Sequence, residues 1–329
     1  MKNNQSQAIS RRKWLGVAAT TTLFAGAAPQ KKASIAITLD LEMSRNFPTW
    51  ETTHWDYEKG NLNEESKRYS VKAAEMVREA GGRIHFFAVG RVLEQTDIQW
   101  LKTLVANGHP VGNHTYDHIN LTATKVEELQ FRFERSPWLL RNQTLLEAIR
   151  ENIQLTNAAM KARLGISPAG FRTPGGFANG LRDHAAARGI LKGLGFDWVS
   201  SLYPAHPNTM PKQKPDAKVV DGIVSSLEKA QPFCYPDGLL EIPMSPISDI
   251  GAFRTGRWNL EWYLDVLKAS LERCMDQGLV FDFLAHPSCL YVVDPDFKAI
   301  KLICEMALKN PTRATLSDLN QIAAKAKGK

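Results

Sequence analysis

Short apolar runs alternate with stretches of helical spacing along nearly the whole chain, and this order restricts the fold more tightly than anything else in the sequence. Residues 34–39 form an Ile-rich run that closes on Asp40-Leu41-Glu42, and residues 64–80 then carry Val71, Ala74 and Val77 at helical spacing before Gly81-Gly82. Strand patterns recur at 84–89, 110–111, 170–172, 197–201, 239–242 and 279–284. Helical patterns separate them at 98–106, 126–164, 181–194 and 258–277, and residues 296–308 and 316–327 make a helical tail. Strand then helix, repeated, means βαβ units and a mainly parallel sheet. No linker or internal repeat divides the 329 residues, so a closed or nearly closed barrel is the expected form. Residues 43–63, 203–219 and 243–256 lack such spacing and read as loops.

Chemically capable residues fall repeatedly where an apolar run ends, which in a barrel is the face that carries active sites. The run at 110–111 leads into His114-Thr115-Tyr116-Asp117-His118. Histidines four apart share one face of a helical turn, close enough for both imidazoles to reach one ion. The other reading is two ordinary surface histidines. Asp40 and Glu42 are two apart at a strand end and so point the same way. Arg172 precedes Thr173-Pro174-Gly175-Gly176, and His286 follows the strongly apolar run at 279–284. Taken singly, Asp40 reads equally as a helix cap, Arg172 as a surface charge and His286 as a hydrogen-bonded core histidine. His54, His85, His109 and His184 are read as structural or solvent-facing.

Charge and cysteine usage narrow the class. The net charge is +7, but Lys2, Arg11, Arg12 and Lys13 lie in a segment expected to be removed, and setting those four aside leaves +3. That is too small an excess to argue for a nucleic-acid partner. Cys234, Cys274, Cys289 and Cys304 form no C-x-x-C pair, which speaks against a cysteine zinc cage. Their even number permits disulfides, with buried free thiols the favoured reading. Residues 10–16 read Ser-Arg-Arg-Lys-Trp-Leu-Gly, followed by an apolar run at 17–28 too short to span a bilayer and holding Ala25-Gly26-Ala27. This resembles a twin-arginine export signal over residues 1–28, with Trp14 where phenylalanine is usual. It leaves a single domain at 33–329. No lipobox cysteine or second apolar span follows, so the expectation is an exported protein, periplasmic or extracellular, with no stable membrane anchor after signal removal.

In this order, the strand-end residues resemble the NodB-like polysaccharide deacetylases, carbohydrate esterase family four. Thr38-Leu39-Asp40 is similar to the first motif of that family, and His114-Thr115-Tyr116-Asp117-His118 to the second, H-[ST]-x-x-H. Arg172-Thr173-Pro174-Gly175-Gly176 is similar to the third, R-x-P-x-G, and Leu284-Ala285-His286 to the fifth, L-x-H. The resemblance implies a distorted (β/α) barrel of about seven units and one divalent metal ion, commonly zinc, bound by two histidines and a carboxylate. It assigns His114 and His118 to the metal. Leu41 stands where a second aspartate is frequent, so Glu42 is the candidate carboxylate ligand, as in a D-x-[DE] branch that includes certain peptidoglycan deacetylases and cyclic-imide hydrolases. Asp40 takes the role of base, paired with Arg172, and His286 that of acid. Gly175 occupies a position often held by an aromatic, which would leave one wall of the groove open. Asp197-Trp198 does not fit the spacing of the fourth motif, so the partner of His286 is unassigned.

Pro174, Gly175 and Leu284 fall in these motifs as substrate contacts. Trp50, Trp55 and Tyr57, on the loop after the first strand, are candidates for stacking on sugar rings or for packing the loop down. Tyr203 and His206 are a second candidate wall. The implied activity is metal-dependent removal of N-acetyl groups from a glycan. The alternatives are hydrolysis of cyclic imides or other small amides on the same scaffold, and a catalytically silent glycan-binding protein.

Overall fold

In the computed structural model, which describes residues 31–53 and 59–328, one sheet takes in the strands β1 (Ala33–Leu41), β2 (Ile84–Ala88), β3 (Val111–Asn113), β4 (Phe171–Phe177), β5 (Trp198–Leu202), β6 (Phe233–Cys234), β7 (Leu240–Glu241), β8 (Val280–Ala285) and β9 (Ala314–Leu316). The order is β6-β7-β5-β4-β3-β2-β1-β8, with β9 paired to β1. Every pairing is parallel except that of β6 with β7. The upper part of β1 pairs with β2 through Ile37–Leu41, and its lower part with β9 through Ala33–Ile35. The path from β7 through β1 to β8 thus contains seven parallel strands, in keeping with the expected distorted barrel. Beyond β7 the chain reaches back to β8. The Ser245 N–H donates to the Asp282 carbonyl at 3.1 Å, and the Asp282 N–H donates to Ser245 Oγ at 2.9 Å.

β1 is buried along its whole length, and its alternation sorts two environments. Ile35, Ile37, Leu39 and Leu41 join the main core with Tyr69 and Val77 of the helix Glu64–Glu79 and with Val266 and Leu271 of the helix Leu260–Gln277. Each such side chain stabilises the fold by about 1.5–3 kcal/mol, which offsets the burial of the polar face at Thr38, Asp40 and Glu42. Inside the barrel, Ala36, Phe87, Trp198, Leu240 and Ile242 pack with Leu319 and Ile322 of the helix Leu319–Ala326. Lys325 of that helix reaches Ser34 Oγ at 3.0 Å, at the N-terminal end of β1. His85 sits in this interior, stacked on Phe87 with its Nε2 2.7 Å from the Ala169 carbonyl, and burial pushes it down to about 3. It is structural, as the sequence indicates, and so is His109, whose Nδ1 accepts the Ile84 N–H at 3.0 Å.

Several expectations need correction. Residues 126–164 are not one helix: only Leu145–Leu164 runs unbroken, started by a Thr144–Glu147 capping box and ended by Gly165. Upstream, Pro137 starts a separate turn, and Arg141 and Asn142 adopt positive φ of 49° and 64°, which no helix accommodates. A helix at Ala217–Ser226, capped by Asp216, occupies part of the expected loop, and another at Pro287–Val293 starts directly after His286. All four cysteines are free thiols; Cys274, Cys289 and Cys304 are buried, whereas Cys234 is exposed on the two-residue strand β6. Residues 1–30, including the signal-like segment, and His54, Trp55 and Tyr57 lie outside the described residues. Among the described residues no helix is long and apolar enough to cross a membrane.

Candidate active site

The end of β1 presents Asp40 and Glu42 on one side, while Leu41 between them is buried in the main core. The chain leaving β3 supplies the histidines, but in a loop rather than on a helical turn. Thr115 and His118 take positive φ of 58° and 59°, and side chains satisfy the backbone in place of a helical ladder. The Asn152 carboxamide oxygen accepts the N–H groups of Tyr116 and Asp117 at 2.8 and 2.9 Å, and Thr115 Oγ1 accepts that of Ile119 at 3.0 Å. The two imidazoles still meet, with ring centroids 5.0 Å apart.

Glu42, His114 and His118 converge, each offering a ligand atom within 4.8 Å of the others. Glu42 Oε2 lies 2.8 Å from His118 Nε2 and 3.5 Å from His114 Nε2, yet it is buried with no hydrogen-bond geometry to either. The His114 Nδ1–H donates to the Arg172 carbonyl at 2.9 Å, so Nε2 is the ring nitrogen that faces the site. Burial pushes His118 down to about 4, against the pull of Glu42. Burial works against ionisation of Glu42, but the charges of His118 and of Lys59, whose ammonium contacts Oε1, hold it well below the usual carboxylate range.

Asp40 and His286 flank this group. Asp40 Oδ1 accepts from Arg172 Nη1 at 3.0 Å, leaving Oδ2 turned toward His114 Nε2 at 3.7 Å. His286 Nδ1 is 2.9 Å from Asp249 Oδ1, and its backbone N–H donates to Asp249 Oδ2 at 2.7 Å. Its Nε2 is 3.6 Å from Glu42 Oε1. Burial alone would lower the His286 pKa; the Asp249 carboxylate, with Glu42 and Asp40 behind it, outweighs that and raises it above the ordinary imidazole value. Arg172 is fully buried across the barrel, bonded to Thr38 Oγ1 at 2.7 Å, to Ser200 Oγ and to Asp282, with its guanidinium 4.3 Å over the Phe87 ring.

Asp40, Glu42, His114, His118 and His286 line a pocket of about 520 Å³. Leu284, Gly175 and Tyr203 belong to its wall. Gly175 has φ 76° and open space around it, so the wall is open there. Pro174 lines an adjoining groove of about 250 Å³ that shares His118 and Gly175 with the pocket. Trp50 does not line the pocket; it lies under the Arg257 guanidinium at 4.0 Å, where it ties the loop after β1 to the segment after Asp249. His206 backs Tyr203 through a 3.0 Å bond instead of forming a wall itself.

Residues 28–189 match the family model described as polysaccharide deacetylase. That segment belongs to the family. The chain is accordingly a deacetylase-class hydrolase, and the family implies an acetylated carbohydrate as its substrate. No curated protein sequence matches the deacetylase. Its fold is similar to that of a probable polysaccharide deacetylase from Pseudomonas aeruginosa PAO1, at 13% identity and TM-score 0.61, covering 93% of this chain and 97% of the other. It is also similar to Puue allantoinase, at 12% identity and TM-score 0.60, covering 95% and 98%.

Sequence reasoning missed three charged residues of the deacetylase. Asp249, the partner of His286, stands in a segment read as loop, where it caps the short helical turn Ile250–Thr255. Asp282 carried a signal, since an acid between Phe281 and Phe283 in an apolar run demands a buried partner. Lys59 had none. Asp197, in contrast, is exposed and far from His286 chemistry, facing Lys327 at 3.8 Å.

Proposed function

We propose that this deacetylase is exported and removes N-acetyl groups from an extracellular glycan, peptidoglycan or chitin-like, with a divalent ion, zinc first, held by Glu42, His114 and His118. The observation that carries this reading is the convergence of those three side chains with Asp40 and His286 flanking them in one pocket. The donor set fits a cation. Two imidazole nitrogens and a buried carboxylate oxygen converge within 4.8 Å of one another, the nitrogen and oxygen donors that a zinc-like cation takes. A divalent ion bound there supplies Lewis acidity toward a water and an amide carbonyl.

The protein's own groups divide the remaining work. Asp40 Oδ2, left bare because Arg172 engages Oδ1, accepts the proton of the attacking water. Arg172 fixes the direction of that carboxylate. His286, with Nδ1 engaged by Asp249, directs Nε2–H into the pocket and gives its proton to the departing nitrogen, which would otherwise be a very poor leaving group. The groove shared through His118 and Gly175 extends the pocket for a substrate longer than one sugar. The twin-arginine-like segment supports export.

The experiment is acetate release from N-acetylglucosamine oligomers by metal-loaded protein, run beside ring opening of small cyclic imides. The imide reading draws on the Asp40-Leu41-Glu42 sequence and on the likeness to an allantoinase; ring opening without acetate release would select it. Elemental analysis is expected to find about one divalent ion per chain in the wild type and little in Glu42→Gln or His118→Gln. Equal metal content in all three would remove the triad as the site.

The pH profile tests the acid. His286 must be protonated to act, so activity falls as pH rises through its raised pKa. Asp249→Asn removes the main cause of that rise, and the alkaline limb of kcat is expected to move down by roughly 1–3 pH units. An unmoved limb would exclude His286 as the group that titrates there.

A further inference from the structure

The pocket holds more positive charge than the proposed chemistry uses. Its lining carries two acids, Asp40 and Glu42, and three cations, Arg45, Lys59 and Arg254. Asp40 is engaged by Arg172 and Glu42 by Lys59. Arg45 and Arg254 are therefore left over: among the described residues neither makes an ion pair or a side-chain hydrogen bond. Arg45 sits on the loop leaving β1, and Arg254 on the turn Ile250–Thr255 that Asp249 caps. The Trp50–Arg257 contact ties those two segments together, so the two guanidinium groups are carried by a joined rim. Burial pushes Arg254 down from its ordinary value, Asp249 and Glu42 pull the other way, and Arg45 adds to the push. Arg45 is exposed and Arg254 half-buried, so both guanidinium groups stay open to an arriving anion at the pocket.

We infer that the pocket selects a carboxylate-bearing N-acetylated sugar, with Arg254 and Arg45 as the specificity-determining pair. This rests on the deacetylase reading above and adds the charge of the substrate to it. The fork of a guanidinium matches the planar carboxylate, and hydrogen bonds between such groups are the strong ones. Both groups line the same pocket as Asp40, His286 and the metal triad, but the proposed chemistry gives neither a proton to move, so their part is to sort substrates.

The test uses two sugars that differ only at C6, N-acetylglucosamine with its hydroxymethyl group and N-acetylglucosaminuronate with a carboxylate. Binding is measured calorimetrically on full-length Asp40→Asn protein, so it does not depend on turnover, and acetate release is measured on the wild type. The uronate is expected to bind about 10- to 100-fold more tightly. Arg254→Gln in the same background is expected to bring the ratio of the two constants close to one, and the preference is expected to shrink as salt rises. Arg254→Lys, which keeps the charge, is expected to retain part of it. Equal constants, no measurable binding of either sugar, or a ratio that survives Arg254→Gln would each overturn the inference. A charge preference without acetate release from either sugar overturns the glycan reading while supporting the anion-selecting pocket.

Discussion

Asp40→Asn is expected to lower turnover by about 10²–10⁴-fold while the fold and the Glu42–His114–His118 group stay in place. The substitution keeps volume and shape, and the amide oxygen still accepts from Arg172 Nη1, which now sits 3.0 Å from Asp40 Oδ1. What changes is the second atom. Oδ2, turned toward His114 Nε2, is replaced by an NH2 group, which has no lone pair for a proton. Arg172 keeps Asp282 as a full counter-charge, so the network loses one of its two carboxylates and no buried cation is stranded. Metal content near the wild-type value with collapsed kcat is therefore the expected pair of results. Turnover within about tenfold of wild type would remove Asp40 as the base, because a general base contributes more than that.

How much of this was legible in the sequence follows from the reach of local rules. The strands that position the site were, because each is an apolar run ended by a polar residue of unusual type: Asp40 after β1, His114 after β3, Arg172 in β4 and His286 after β8. Spacing also put Asp40 and Glu42 on one side, since a strand alternates with period two. The geometry of the histidine pair was misread, because His114 to His118 meets a helical spacing by a different route, through positive φ at Thr115 and His118 and the Asn152 side chain 34 residues or more away. Asp249 and Lys59 were invisible for a related reason. Each acts through a contact with a residue distant in the chain, His286 in one case and Glu42 in the other, and neither sits at the end of a periodic segment that would mark it. Asp282 was within reach of a stricter reading, because a charge buried in an apolar strand is costly enough to require a partner.

Arg172→Met is expected to be the most damaging single substitution to stability, at about 3–5 kcal/mol, because it strands two carboxylates inside the barrel. Arg172 is fully buried, and its guanidinium also packs on Phe87, so methionine fills much of the volume but supplies no charge. For a chain of this length the melting temperature should fall by roughly 5–10 °C. The deficit should also depend on pH, with a definite sign. Burial already pushes Asp282 up to about 6 despite the opposing charge of Arg172, and without Arg172 it rises further. A carboxyl whose folded pKa is raised stabilises the fold as pH drops through that value and withdraws the stabilisation as pH climbs back. Denaturant unfolding should therefore show the Arg172→Met penalty larger at about pH 8 than at about pH 5. Adding Asp282→Asn to Arg172→Met should recover part of the loss at the higher pH, since the neutral amide keeps the hydrogen bond from Thr38 Oγ1 without a stranded charge. A penalty independent of pH, with no recovery in the double variant, would mean that Arg172 supports the barrel by packing on Phe87 and not by holding Asp40 and Asp282 in their charged forms.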